Sequence, residues 1–187
     1  MLPRSQLVYP LSELLFALLT LACLLRFDLT LLCARNLVFL GCLFCLSLAD
    51  LDACIIPDGC LLLAAGVWAA TAPFLGMSRT DAARYLVAAL LFGGGMLGLS
   101  LLMDRILNKE TIGGDVKLLA VVGLYLGLIG SLFSLLFSCI LGLMLARLLR
   151  RGTGQPFPFG PAIAVSAAVM LLFGDALVSW YLGLLSF

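Results

Sequence analysis

A bundle of membrane-spanning α-helices is the fold this sequence predicts, and three observations predict it. The 187-residue chain is 64% hydrophobic and 11% charged, far from the roughly quarter-charged composition of soluble domains. Its mean hydropathy is +1.22, which is more apolar surface than one soluble core of this size can bury, so lipid must cover much of it. Its apolar residues also gather into long runs, and a span needs about 20 of them.

The runs lie at residues 11–26, 36–50, 59–76, 85–103, 118–149 and 160–187. The first follows only ten residues and contains Glu13, a poor fit to a signal peptide. The second is almost unbroken from Leu37 to Ala49 and ends on Asp50; the third begins after Pro57 and Asp58. On the fourth, Gly93, Gly94, Gly95 and Gly98 form a small-residue face suited to close helix packing. The fifth is too long for one ordinary span, and "LGLIGSLF" near Gly130 and Ser131 is its natural break. Seven spans follow, or six if that run is unbroken, in a single membrane-embedded domain over residues 1–187.

Seven spans assign each polar loop to a face. One face receives Arg4, Arg105, Lys109, Lys117, Arg147, Arg150 and Arg151, the other Arg26, Arg35, Arg79 and Arg84. By the positive-inside rule the first face is cytoplasmic, and Arg147, Arg150 and Arg151 read as topology anchors that also suit acidic headgroups. A net charge of +1 gives no electrostatic case for nucleic acid. The chain has no histidine, which removes Ser-His-Asp and Cys-His catalysis and histidine-ligated metal sites. Any chemistry must use carboxylates, thiols, hydroxyls or amines.

Of ten carboxylates, Asp50, Asp52, Asp58, Asp104, Glu110 and Asp115 fall on the predicted cytoplasmic face. Acidic groups at the mouth of a bundle are costly unless paired, hydrated or used. Asp50 closes an apolar helix, and Asp115 precedes the apolar run from Leu118, at a helix N-terminus where dipole and free N–H groups favour a carboxylate. Gly113 and Gly114 beside it would let a substrate backbone approach. Two such aspartates facing each other would make an acid protease. Like charges a few ångströms apart cannot both ionise easily, so the pair shares a proton. One carboxylate then activates water while its protonated partner polarises the scissile carbonyl, with no metal or cofactor. Asp52 rivals Asp50, but two residues on a helix are about 200° apart, so both cannot face one partner. Asp58, after Pro57, is placed to cap the next helix, and Lys117 to meet a headgroup or form an ion pair.

Four ordered segments, "YPLSELLFALL" (9–19), "DLDACIIPDG" (50–59), "GGDVKLLA" (113–120) and "PFGPAIA" (158–164), resemble the type IV prepilin peptidases, membrane aspartic proteases of the GxGD kind. In that family the first catalytic aspartate lies eight residues before the Asp or Asn that follows an Ile-Pro or Leu-Pro pair, which here leads from Asp58 back to Asp50. The GxGD aspartate maps onto Asp115. The resemblance implies cleavage of short basic leaders from prepilins and pseudopilins at the cytoplasmic face of the bacterial inner membrane. Ile112 stands where the family has the first GxGD glycine, with the spare glycine displaced to Gly113.

Larger members of the family add an N-terminal segment with paired CxxC motifs, linked to N-methylation, and this chain starts where that segment would end, as a short form. Its seven cysteines are Cys23, Cys33, Cys42, Cys45, Cys54, Cys60 and Cys139. "CLFC" (42–45) sits inside an apolar run without a second pair, so the cysteines read as small buried residues, and neither zinc nor a disulfide framework is expected. No residues for a methyltransferase are identified. "QPFPFGP" (155–161) brings three prolines to the cytoplasmic face as a turn or re-entrant element near the site. Two rival readings use the same aspartates differently: a carboxylate-dependent, ion-coupled transporter, and an inactive assembly factor of the pilus or secretion machinery.

Overall fold

A computed structural model describes residues 4–107, 114–149 and 159–185, which form six helices with no strand among them. In chain order these are α1 (Arg4–Phe27), α2 (Leu31–Ala53), α3 (Asp58–Thr71), α4 (Arg79–Leu107), α5 (Gly114–Leu149) and α6 (Gly160–Leu185). The all-α, polytopic bundle is therefore as expected. Among the described residues, α2, α4, α5 and α6 are long and apolar enough to cross a membrane. Their outer faces carry exposed apolar side chains such as Leu90, Leu143 and Trp180, as a lipid-facing surface does.

The third run departs from expectation in length. α3 has 14 residues, about 21 Å, against a hydrocarbon core of about 30 Å. Pro73 lacks the N–H that would continue the ladder, and after Ala72, still helical, the chain turns through Gly76, with Met77 N–H returning to the carbonyl of Ala72 at 3.2 Å. α2 is capped at both ends. Thr30 accepts from Cys33 N–H at 3.2 Å, and at the other end Cys54 adopts a left-handed conformation, φ 52°, its N–H bonded to the carbonyl of Asp50 at 2.9 Å.

α5 is two helical arms joined at a kink, which is the division expected of the fifth run. Its break lies at Gly127, inside the quoted stretch but three residues before Gly130, with φ 66° and ψ −168°, a region essentially confined to glycine. A straight helix would separate Gly114 from Gly142 by roughly 42 Å. Instead Gly114 packs on Ile56, Gly142 packs on Phe159, and the neighbouring Gly160 bonds Asp50. The two arms of α5 must therefore fold back toward one end of the bundle. Gly127→Ala is expected to lower stability by about 1–3 kcal/mol, read as a fall in thermal midpoint in detergent. Gly66→Ala, in the open middle of α3 with nothing near the new Cβ, is expected to leave the midpoint unchanged or raise it.

The first arm of α5 lies antiparallel against α4, close enough that a Cβ on Gly93 would meet the Cβ of Ala120 at 2.7 Å and one on Gly123 the Cα of Ala89 at 2.6 Å. Of the four glycines expected to make this face, Gly93 alone serves it; Gly94, Gly95 and Gly98 face open space. Gly123, not singled out from sequence, supplies the other half of the close approach. The second arm meets α6, where the hydroxyls of Ser134 and Ser166 lie 3.1 Å apart in the buried interface.

Aromatic packing joins α2, α3 and α5. Phe39 stacks on Tyr125 with ring centroids 3.9 Å apart, and the Tyr125 hydroxyl donates to the carbonyl of Ala64 at 2.8 Å. Cys23 and Cys33 are buried with their sulfurs 3.9 Å apart, packing α1 on α2. Cys42 is also buried, but Cys45 and Cys139 are exposed on the outer surface, so the buried reading of the cysteines holds only in part. At the far end Arg26 of α1 meets Asp175 of α6 at 2.9 Å.

Candidate active site

The C-terminus of α2 and the N-termini of α3, α5 and α6 converge at one end of the bundle. Asp50 lies in the last turn of α2, 5% exposed. Its Oδ2 accepts a hydrogen bond of 2.8 Å from the backbone N–H of Gly160. Gly160 opens α6, so this N–H is one of the donors that a helix leaves unsatisfied in its first turn, and the positive end of the α6 dipole faces the carboxylate. A Cβ on Gly160 would stand 2.7 Å from the same oxygen. The contact therefore requires glycine.

Asp115 sits in the first turn of α5, half-buried, at the helix N-terminus expected of it. Ile56, six residues after Asp50, packs on Gly114, the neighbour of Asp115, so the start of α5 lies against the end of α2 and the two carboxylates, 65 positions apart in the chain, fall within electrostatic reach of each other. The two aspartates singled out from sequence are thus brought together. Asp52 is not: α2 continues through Ala53, which turns Asp52 to the exposed side while Asp50 faces inward.

The segment between α2 and α3 docks on the start of α5. Ile56 occupies the space beside Gly114, its Cβ and Cδ1 both 3.1 Å from where a Cβ on Gly114 would be. Gly114 was expected to leave room for a substrate backbone, yet that room is filled by Ile56. Pro57 is the N-cap of α3, extended at φ −69° and ψ 120°. Asp58 was expected to cap α3, but α3 has no side-chain cap. Its carboxylate instead binds Lys117 Nζ, at 2.7 Å through Oδ1 and 2.9 Å through Oδ2. The ion-pair reading of Lys117 therefore holds, with the partner now identified.

Gly113, Ile112, Glu110, Lys109, Arg150, Arg151 and most of "QPFPFGP" lie outside the described residues, as does the side chain of Asp104. Of the proline-rich stretch, Phe159, Gly160 and Pro161 are described, and they place its end directly at Asp50. Gly160 and Ile56 are the contributors that sequence reasoning missed. For Gly160 the signal was present in the PFGP stretch, which was read only as a turn or loop near the site. An apolar groove of about 660 Å³ between α1, α2 and α6 opens beside the same end, where Ser47, Leu48, Leu51 and Pro161 line it. Among the described residues no cluster of three or more acidic or cysteine side chains could hold a metal ion.

The arrangement is one buried carboxylate fixed by a backbone N–H, with a second, half-buried carboxylate near enough on another helix to feel its charge. Such a pair can hold and pass a proton between them and activate a water molecule.

Comparison with known proteins points the same way. The model of the type IV leader peptidase family matches residues 37–147, a stretch that includes both aspartates and the Asp58–Lys117 pair. The prepilin leader peptidase/N-methyltransferase of Bacillus subtilis (strain 168) is 31% identical over 188 residues, covering 96% of this chain and 71% of that protein. The proteins of the same name from Pseudomonas aeruginosa and Aeromonas hydrophila are each 34% identical over 187 residues, covering 93% of this chain and 61% of theirs. The chain thus spans about three fifths of the length of the latter two relatives. No solved structure matches significantly.

Proposed function

The chain belongs to the type IV leader peptidase family, and on that premise we propose that it is a membrane aspartic endopeptidase that removes the short leader from type IV prepilins or pseudopilins. Asp50 and Asp115 are its catalytic dyad. The observation that supports this reading is the packing of the segment after Asp50 on the start of α5, Ile56 against Gly114, which brings two carboxylates 65 positions apart in the chain to one end of the bundle. The excess of basic residues in the sequence segments assigned to that face supports a site on the cytoplasmic side, and the family resemblance supports the bacterial inner membrane as its place.

In the reaction one carboxylate takes a proton from water as the water attacks the scissile carbonyl. The protonated partner donates a hydrogen bond to the carbonyl oxygen, and the proton taken from water leaves on the departing amine. The Gly160 N–H keeps Asp50 in one orientation throughout. A scissile carbonyl is reachable only where the substrate backbone is extended, and Gly113, beside Gly114 in the sequence, is the candidate for accommodating it.

The decisive experiment incubates the purified protein in detergent with a prepilin and determines the product mass. The expected product lacks the leader, and its mass also reads whether a methyl group has been added. Asp52→Asn is expected to cut at a rate within about twofold of wild type, since an exposed substitution away from the pair perturbs little. Carboxylate-dependent solute uptake into proteoliposomes without peptide cleavage would instead establish a carrier.

A further inference from the structure

We infer that Asp58 and Lys117 form a positioning latch that sets the separation of the two catalytic aspartates. This rests on the peptidase reading above and deepens it. Two elements carry the dyad, and each lies next to one arm of the latch. Asp58 is the first residue of α3, joined to the end of α2 by Cys54, Ile55, Ile56 and Pro57. Lys117 is in the first turn of α5, two residues beyond Asp115.

The connection from Asp50 to Asp58 has little structure of its own. Its backbone bonds are those of its two ends, Cys54 to Asp50 and Cys60 to Pro57, and Ile55 in the middle is 64% exposed. Two contacts hold this connection to the start of α5: Ile56 in the space beside Gly114, and the two-oxygen grip of Asp58 on Lys117 Nζ. An apolar contact alone allows sliding. A charge held at 2.7 and 2.9 Å by two oxygens does not.

Both side chains are more than half exposed, so the pair contributes little to global stability. Its effect is on geometry. Catalysis by two opposed carboxylates depends on their spacing, and displacement by about 1 Å costs on the order of 100-fold in rate even when the altered residue is remote from the chemistry. The latch residues touch neither substrate nor reacting atoms. They act through the helices that hold Asp50 and Asp115.

The test is a double-mutant cycle on leader cleavage with Asp58→Asn, Lys117→Met, both together, and the exchange Asp58→Lys with Lys117→Asp. Each single variant is expected to lose about 3–5-fold in kcat, as far as an exposed pair can bias the geometry, with KM within twofold and the thermal midpoint nearly unmoved. The double neutral variant is expected to be no worse than the poorer single, and the exchanged pair to recover most of the lost rate. High salt is expected to slow the wild type and leave Lys117→Met unaffected.

Multiplying single effects, an exchanged pair as slow as the singles, or a loss confined to KM would overturn the latch; the last would make Lys117 a substrate contact. A wild-type protein that cuts no leader overturns the peptidase reading and the latch together. A wild type that cuts, with all four variants matching it, overturns the latch alone.

Discussion

Asp50→Asn and Asp115→Asn, made singly, are each expected to reduce leader cleavage by about 10²–10⁴-fold, the range that a positioned acid–base group supplies. Asparagine is the informative replacement because it keeps the shape of the side chain. At position 50 its amide oxygen can still accept the 2.8 Å hydrogen bond from Gly160, so the packing of α2 on α6 survives while proton transfer is lost. The double variant should be no slower than the slower single, since neither carboxylate works without the other. Both singles should melt no lower than wild type, because each replaces a carboxylate that is costly to bury and ionise with a neutral group of the same shape. Cleavage at the wild-type rate by either folded variant would rule out the dyad. Loss of cleavage together with a lowered midpoint would instead mark a structural role.

The parts of this molecule legible in the sequence are those that local chemistry determines. Run lengths and the scarcity of charge identify a helical membrane bundle without any knowledge of packing. Asp50 and Asp115 stand out because a carboxylate at the end of an apolar helix demands an explanation, and helical periodicity then sets Asp52 aside. What stayed hidden depends on which surfaces meet. Nothing local says that Gly123 rather than Gly94 or Gly95 faces a neighbouring helix, since all are glycines in apolar runs and only the rotation of α5 against α4 selects among them. The fold-back of α5 was foreseeable from length, but any of several small residues could have made the turn. Gly127 is distinguished by a backbone conformation that sequence does not display.

The same distinction governs the site. Asp58 has the residue type and position of a helix cap, and Lys117 those of a headgroup anchor or of one half of an ion pair whose other half local chemistry does not name. They are drawn instead to each other across 59 positions of sequence. Gly114 was read as open space because a glycine beside a catalytic candidate suggests an approaching substrate. The chain itself uses that space, through Ile56. In each case a long-range partner overrides a local preference of at most a kcal/mol or so.

Gly160→Ala is expected to cut leader cleavage by about 10–100-fold, while Pro161→Ala, one residue away, is expected to change it by less than about threefold. The case rests on a steric conflict in which the relieving movement is itself damaging. The new methyl would stand 2.7 Å from Asp50 Oδ2, 3.1 Å from its Cγ and 3.2 Å from its Cβ, so the whole side chain must rotate or α6 must withdraw. Rotation points the carboxylate away from its catalytic direction; withdrawal of α6 lengthens the 2.8 Å bond from the Gly160 N–H and leaves a buried carboxylate without that donor. Either movement disturbs Asp50 and leaves Asp115, held on α5, where it was. The loss should therefore fall on kcat, with KM little changed. Combining Gly160→Ala with Asp50→Asn supplies the check: if the glycine acts through Asp50, the alanine adds nothing to a variant already lacking that carboxylate. A further loss in the double variant would show that Gly160 instead serves the substrate directly.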